Sequence, residues 1–89
     1  MHEASLITNL MHQIMAIMRQ QGTGRVVGVT VKLGALSHIS PDHFREHFVH
    51  GARGTIAEGA RLTLEIGSDP GDPHAQDIVL ACLDIEIEE

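Results

Sequence analysis

The sequence predicts an α+β fold in which two helices pack on one face of a mixed three-stranded sheet, in the order helix, strand, helix, strand, strand. Two periodicities in the chain predict this fold. Apolar residues recur every three or four positions in two segments, as on one side of a helix, and alternate with polar residues in three others, as in half-buried strands. The 89 residues suffice for one hydrophobic core and are too few for two domains. We therefore expect residues 1–89 to form a single domain.

The first helix is predicted over residues 4–20, and the first strand follows within residues 25–36. Gly22 and Gly24 lie between them, where glycine allows the positive φ that ends many helices. The expected apolar stripe of the helix is Leu6, Leu10, Ile14, Ile17 and Met18. The expected inward residues of the strand are Val27, Val29, Val31 and Leu33.

The second helix is predicted to begin at Ser40 and to end near Ala52. Serine can accept a hydrogen bond from a free backbone N–H of the first turn, and the Pro41 that follows fits the first helical position. Asp42 suits the positive end of the helix dipole. We expect Phe44, Phe48 and Ala52 to form the buried side of this helix.

The last two strands are predicted at residues 61–66 and 78–88, with a loop at residues 67–77 between them. The loop holds two prolines, two glycines and three aspartates without periodicity. Leu62, Leu64 and Ile66 are the expected inward residues of the first of these strands. A helical crossover implies that strands one and two pair in parallel, whereas strands two and three are expected to form a hairpin.

The last strand carries two groups of apolar residues on opposite sides. Ile78, Leu80 and Cys82 alternate in one phase, and Leu83, Ile85 and Ile87 alternate in the other. The change of phase predicts either a β-bulge or a partly apolar outer face. An apolar outer face would be a contact surface for self-association or for another protein, so this pattern leaves a homo-oligomer open.

Composition excludes several classes of protein. The single cysteine, Cys82, excludes an internal disulfide and a zinc site made of cysteines. Six scattered Lys and Arg residues, two aromatic residues and a net charge of −6 argue against nucleic acids and anionic membranes as partners. No apolar run approaches the ~20 residues of a membrane span, and no signal peptide is recognisable. We expect a cytoplasmic protein.

No set of catalytic residues is apparent, and we do not expect an enzyme. Cys82 has no basic neighbour in sequence that would activate it, and no serine lies in a nucleophile-elbow motif. The glycines match neither a dinucleotide-binding fingerprint nor a phosphate-binding loop.

Seven histidines stand out in so short a chain, and one of them is at the N-terminus, in Met1-His2-Glu3. The terminal amine, the backbone nitrogens that follow it and the imidazole of His2 lie within one chelate loop. Such nitrogen donors in a near-planar arrangement favour Ni(II) or Cu(II) over Zn(II). The alternative interpretation is an ordinary frayed terminus.

A second arrangement is His43, His47 and His50, which occupy a narrow arc beside the apolar side of the second helix. His43 and His47 have the i, i+4 spacing at which two imidazoles can share one ion. The three residues predict either a second metal site or a pH-sensitive surface, and the simpler alternative is a solvated helix face. Isolated His12, His38 and His74 are expected to be surface residues.

The ordered motifs of the chain resemble a known family. Met1-His2-Glu3 is followed by the first helix, then by VTVKLGALS at residues 29–37, SPDHFREHF at 40–48 and GTIAEGARLTLE at 54–65. This series is similar to the nickel-binding domain of the HypA/HybF metallochaperones, which incorporate nickel into hydrogenase and urease. The resemblance covers essentially the whole chain.

The resemblance implies a cytoplasmic, non-enzymatic carrier of nickel for [NiFe]-hydrogenase, or for urease, that works with a nickel-binding GTPase and a hydrogenase large subunit. It also implies the ligands. His2 would bind nickel through its imidazole and backbone amide, Glu3 would supply the next amide, and Met1 could supply the amine.

The chain departs from the family at two places. Family members carry a zinc domain with two CxxC motifs between the second and third strands, where this chain has the 67–77 loop, so the family zinc site is not expected. The residue before Pro41 is frequently acidic in the family and is Ser40 here, a poorer ligand. The alternative function is a metal-free interaction module, or a divergent paralogue that keeps the fold without delivering nickel.

Overall fold

The structure of the chain is a computed structural model that describes the backbone of residues 3–87 and the side chains from Ser5 onward. The elements follow one another in the predicted order. They are α1 (Glu3–Gln21), β1 (Arg25–Leu33), α2 (Pro41–Ala52), β2 (Arg61–Ile66) and β3 (Ile78–Glu86). Neither helix of this described part has the length and apolar character that crossing a membrane requires.

The three strands form one mixed sheet in the order β2-β1-β3. β1 pairs in parallel with β2, which confirms the predicted crossover, and pairs antiparallel with β3. The predicted hairpin between the last two strands is wrong, because the chain passes the end of β1 and adds β3 to the other edge. This order makes β1, which carries the most buried side chains of the three strands, the central strand.

The core lies between the two helices and one face of the sheet, as predicted. Phe44, Phe48 and Ala52 are buried, which confirms the expected side of α2. The full set of buried apolar residues in this cluster is Ile7, Leu10, Met11, Ile14, Met18, Val26, Val29, Val31, Leu33, Phe44, Phe48, Ala52, Ala57 and Leu62. Ile14, Val31 and Phe44 are among the largest of these side chains and have no exposed surface. The core is therefore aliphatic around two phenylalanines.

The buried stripe of α1 differs from the predicted one. Ile7 and Met11 are buried, whereas Ile17 is 41% exposed and Leu6 is only half-buried. Apolar residues occur around much of the circumference of this helix, so the spacing alone allows more than one stripe. Packing against α2 and the sheet selects the stripe that includes Ile7 and Met11.

Two β-bulges change which strand residues face the core. The pairing shifts between Val26 and Gly28 of β1, so Val26 is buried and Val27, the predicted inward residue, is only half-buried. A second shift occurs where Thr30 pairs with Cys82 and Val31 with Leu80. The extra residue in β3 returns Ile78 and Leu80 to the core side.

For the last strand the sequence leaves open a β-bulge or a partly apolar outer face, and the structure shows the bulge. Ile78, Leu80, Leu83 and Ile85 all pack against the core, while Cys82 is exposed on the opposite face. The contact surface of Ile78, Leu80 and Cys82 is therefore not formed, and self-association has no surface assigned to it. In β2, Leu62 is buried and Leu64 packs against the core, but Ile66 is 59% exposed because it lies at the end of the strand.

Gly51 is where α2 comes closest to α1. A Cβ added to Gly51 would overlap Cγ2 of Ile7, whose side chain is buried. Alanine in place of glycine favours a helix by about 1 kcal/mol, but forced overlap in a packed core costs about 1–3 kcal/mol. We expect Gly51→Ala to lower the free energy of unfolding by about 1 kcal/mol, measured by urea denaturation.

The same substitution in an Ile7→Leu background provides the control, because leucine has no methyl branch at Cβ. There Gly51→Ala is expected to be neutral or stabilising. Equal destabilisation in both backgrounds would show that the overlap with Ile7 is not the cause.

Candidate metal site

The predicted nickel ligands lie at the edge of what the structure describes. Met1 and His2 are outside the described residues, and Glu3 is the first residue of α1, with its side chain outside the description. The ligand set Met1, His2 and Glu3 therefore stays a prediction. What the structure adds is the surroundings of the first turns of α1.

A cleft of about 710 Å³ lies beside the start of α1. Leu6, one turn after Glu3, lines it together with Gln13 from the same helix. The opposite wall consists of two segments, residues 37–39 and residues 76–80. We call this space the α1 cleft. The α1 cleft thus has one helical wall and one loop wall.

Backbone hydrogen bonds hold the loop wall of the α1 cleft. The N–H of Gly34 donates to the carbonyl of Asp77 at 2.9 Å, and the N–H of Leu36 donates to that of Ala75 at 2.6 Å. The N–H of Ser37 then donates to the carbonyl of Gly34 at 3.0 Å, closing a turn. These bonds fix the segment after β1 against the segment before β3.

Ser40 closes this wall as the N-cap of α2. Its hydroxyl accepts from the backbone N–H of His43 at 3.5 Å, with Pro41 in the first turn of the helix, as the sequence predicts. The side chain of Ser40 thus satisfies one of the free backbone N–H groups in the first turn of α2.

His38 lies in this wall, and its exposure confirms the surface position expected from the sequence. It is exposed, it lines the α1 cleft, and its φ is +57°. It is the one non-glycine residue with positive φ within residues 3–87. It also makes no hydrogen bond or ion pair with any residue in that range. Neither its backbone conformation nor its place beside α1 has a signal in the spacing of the sequence.

The histidines of α2 are not brought together as a metal site. His43, His47 and His50 are all exposed on the helix. Within the described part of the chain, no group of three or more His, Cys, Asp or Glu side chains could hold a metal ion. The second metal site thus has no formed ligand set here, and the pH-sensitive surface stays a prediction.

Both ends of the loop at residues 67–77 are hydrogen-bonded to the C-terminal end of β1 and the residue that follows it. The N–H of Gly67 donates to the carbonyl of Leu33 at 2.8 Å, and the carbonyl of Asp77 accepts from the next residue, Gly34, at 2.9 Å. Within the loop, Nδ1 of His74 lies 3.0 Å from Oδ2 of Asp77. His74 is therefore paired, unlike His38.

A family model described as "Hydrogenase/urease nickel incorporation, metallochaperone, hypA" matches residues 1–70. The chain belongs to this HypA family. The match begins with Met1-His2-Glu3, includes α1, β1, α2 and β2, and ends inside the 67–77 loop. The resemblance inferred from the motifs is thereby confirmed.

Curated HypA proteins agree with the match. The hydrogenase maturation factor HypA of Methylocella silvestris is 44% identical over 66 residues, which are 74% of this chain and 58% of that protein. That of Chlorobium limicola is 38% identical over 65 residues, 73% of this chain and 56% of that protein. The aligned part of this chain thus spans between half and two thirds of the length of these relatives.

A solved structure shares the fold. The solution structure of the Ni metallochaperone HypA from Helicobacter pylori matches with a TM-score of 0.81 and 14% identity, covering 99% of this chain and 100% of that one. At this identity the match concerns the fold alone. It includes β3, beyond the end of the family-model match, so the two helices and the mixed three-stranded sheet are a HypA architecture.

Proposed function

We propose that this HypA-family chain is a nickel metallochaperone, or an accessory factor, for the maturation of [NiFe]-hydrogenase or urease, and that it binds Ni(II) at Met1, His2 and Glu3. The observation that carries the proposal is the family match, because it begins at residue 1 and so includes this triplet. The relatives described as hydrogenase maturation factors support the same role.

The donor chemistry of the triplet fits nickel. The amine of Met1, the backbone amide and imidazole of His2, and the amide of Glu3 are nitrogen donors. Near-planar nitrogen sets suit Ni(II) and Cu(II), whereas Zn(II) is held mostly in tetrahedral sites. The backbone of α1 begins at Glu3, so the ion would be bound at the end of a helix that the core holds in place.

The nickel ion in this proposal is cargo, and the chain performs no bond-making step on it. A nickel-binding GTPase and the hydrogenase large subunit are the partners that the family implies, and we propose that the chain acts in the cytoplasm. A terminal site suits transfer, because a chelate formed by a few successive residues can be approached by a second protein from several sides.

We also propose that the 67–77 loop occupies the place of the family's zinc domain within a single nickel-binding domain. The 89 residues contain one cysteine, Cys82, which is exposed on β3. A zinc site of four thiolates cannot be assembled from them. The place of the loop between β2 and β3, and the end of the family match within it, support this assignment.

The test of the nickel proposal is His2→Ala. With Met1 as the first residue and no tag before it, the unsubstituted chain is expected to bind one Ni(II) in a calorimetric titration. Because removing even an outer-shell partner of a metal ligand weakens binding by about 10–100-fold, loss of the imidazole of His2 should weaken it by about 100-fold or more.

His12→Ala is the matched control, because His12 is an exposed histidine on the same terminal helix. It is expected to keep the affinity of the unsubstituted chain. If His2→Ala and His12→Ala bind nickel equally well, the N-terminal site is refuted.

A further inference from the structure

We propose that the free edge of β3 binds an extended segment of a partner protein, in which apolar residues alternate with lysine or arginine. The segment would add a fourth strand to the sheet, a mode of recognition in which backbone hydrogen bonds supply affinity and side chains supply specificity. Three features of the described residues carry the proposal: the open edge, the groove beside it and the charges across the sheet. None of them involves nickel, so the proposal goes beyond the proposed function and is tested without the metal.

β3 is a long strand with one neighbour. Within residues 3–87, β1 is the only strand that pairs with it, and the order β2-β1-β3 leaves its other side open. The open side presents backbone N–H and C=O groups to which another strand can bond, and proteins usually keep such edges short. β3 has nine residues, whereas β2 has six, and the carbonyl of Leu62 in β2 already accepts from the guanidinium of Arg45 at 2.9 Å. The edge of β3 is therefore the better template for an added strand.

One side of α1 lies beside β3 and is not fully covered. Leu6, Gln13 and Ile17 share this side, because they are one or two helical turns apart. Leu6 and Gln13 line the α1 cleft together with residues 76–80, which include the start of β3. Ile17 is 41% exposed, which is unusual for so large an apolar side chain on a packed helix. We call the space between this side of α1 and the edge of β3 the β3 groove.

The β3 groove follows the strand along its length, because α1 and β3 run side by side. At one end, Leu6 and Ile78 line the α1 cleft. At the other end, Gly24 lies just after α1, and a Cβ there would be 3.0 Å from Cγ2 of Ile85. Leu83 and Ile85 pack against the core but remain only half-buried. Apolar residues on the inward side of an added strand would cover them, which favours binding.

Charges alternate across the outer face of the sheet, and β3 ends the series with carboxylates. Nη2 of Arg61 on β2 lies 3.6 Å from Oδ2 of Asp84 on β3, across Gly28 of β1. Nη2 of Arg25 on β1 lies 3.3 Å from Oε1 of Glu86 on β3. The side chains of Asp84 and Glu86 are still 52% and 51% exposed, so a further cation can reach them. Opposite charges on adjacent strands stabilise the pairing, so lysine or arginine suits the outer side of a fourth strand.

A second copy of this chain fits the same edge poorly. The antiparallel register that fully pairs residues 82–86 of two copies is centred on Asp84 and places this residue opposite itself. Like charges directly opposite one another destabilise a strand pair. On the other side of Cys82, the bulge between the pairs with Thr30 and Val31 interrupts a symmetric pairing. A basic segment of another protein is therefore the favoured occupant.

The probe for this proposal is a labelled peptide of about ten residues in which valine alternates with lysine, long enough for one strand. It is titrated into the nickel-free chain and followed by fluorescence anisotropy. We expect it to bind at least about tenfold more tightly than a peptide of alternating valine and glutamate. Hydrogen exchange should slow at the amides of β3 when the valine–lysine peptide binds, and should not change at those of β2.

Two variants with matched controls test the strand face and the helix wall of the groove. Asp84→Lys is expected to weaken binding of the valine–lysine peptide by about fivefold, because an attraction becomes a repulsion. Glu65→Lys changes the net charge equally on the outer face of the other edge strand, and should alter binding by less than about twofold. Ile17→Ser should also weaken binding by about fivefold, whereas Val49→Ser, at an exposed position on α2, should leave it unchanged.

Each of three results would overturn the proposal. Equal weakening by Asp84→Lys and Glu65→Lys would show that the peptide responds to net charge alone. Equal binding of the two peptides, or slowed exchange in β2 rather than β3, would show that the edge of β3 is not the site. Dimerisation of the chain through β3 in sedimentation and exchange experiments, with the peptide excluded, would make a second copy the occupant instead.

Discussion

Replacing Phe44 with alanine is expected to lower the free energy of unfolding by about 3–5 kcal/mol, the usual cost of truncating a buried phenylalanine. Phe44 has no exposed surface and lies on the side of α2 that faces the core. The other phenylalanine, Phe48, is itself packed in the core on the same side of α2, so the cavity would be filled only in part. Because small domains are stable by about 5–15 kcal/mol in total, this substitution removes much of the stability.

The measurement for Phe44→Ala is urea denaturation followed by far-ultraviolet circular dichroism, since the chain has no Trp or Tyr to report by fluorescence. Val49→Ala is the control on the same helix, because Val49 is 53% exposed. It should change the free energy of unfolding by no more than about 0.5 kcal/mol. A similar loss for both variants would mean that Phe44 is not the centre of the core.

Replacing Gly34 with alanine is expected to lower the free energy of unfolding by about 3 kcal/mol, from overlap and lost hydrogen bonds together. A Cβ at this position would overlap the backbone carbonyls of Ala75 and His74. A backbone group cannot turn aside as a side chain can, so the segment before β3 must move. The bonds from Gly34 to Asp77 and from Leu36 to Ala75 would then lengthen or break.

The measurement for Gly34→Ala is the thermal midpoint, which should fall by roughly 12 °C or more, given about 4–8 °C per kcal/mol for a domain of this size. Faster hydrogen exchange at the amide of Leu36 would locate the change. The control is Gly71→Ala, because a Cβ there would come near only the side-chain oxygen of Asp69, at 3.3 Å. An equal fall in both variants would contradict the role assigned to Gly34.

Local chemistry explains which parts of the fold the sequence predicts well. Ser40 and Pro41 define the start of α2 through interactions within one turn, and Phe44 and Phe48 are four positions apart on one side of it. Alternation in β2 is equally local, and it fails only at Ile66, where the strand ends. These features depend on neighbours in sequence, so the pattern is sufficient.

The features of the fold that the sequence does not predict depend on contacts between residues distant in sequence. The pairing of Arg25 with Glu86 joins residues 61 positions apart, and no local motif favours it over a hairpin between neighbouring strands. The bulge opposite Thr30 and Val31 is likewise set by two strands together. The other bulge in the pairing of β1 with β3 explains why Val26 is buried in the core where Val27 was predicted.

The candidate site likewise has a part that can be predicted from the sequence and a part that cannot. The Met1-His2-Glu3 triplet is a contiguous chelate, so its chemistry can be predicted from the sequence alone. The positive φ of His38 and its place in the lining of the α1 cleft can be recognised only from the structure. The histidines of α2 show the converse, because a regular spacing on one helix does not by itself assemble a ligand set.

The hydrogen bonds at the two ends of the 67–77 loop allow the loop to change in length without disturbing the pairing of the strands. Gly67 and Asp77 are bonded to Leu33 and Gly34, so the chain leaves and re-enters the domain at one point. Lengthening a flexible loop between fixed ends costs only about 0.6 kcal/mol for each doubling of its length. An insertion within residues 68–73 would therefore project from the end of β1 beside the α1 cleft, and would leave in place the bonds that join the loop to residues 33–36.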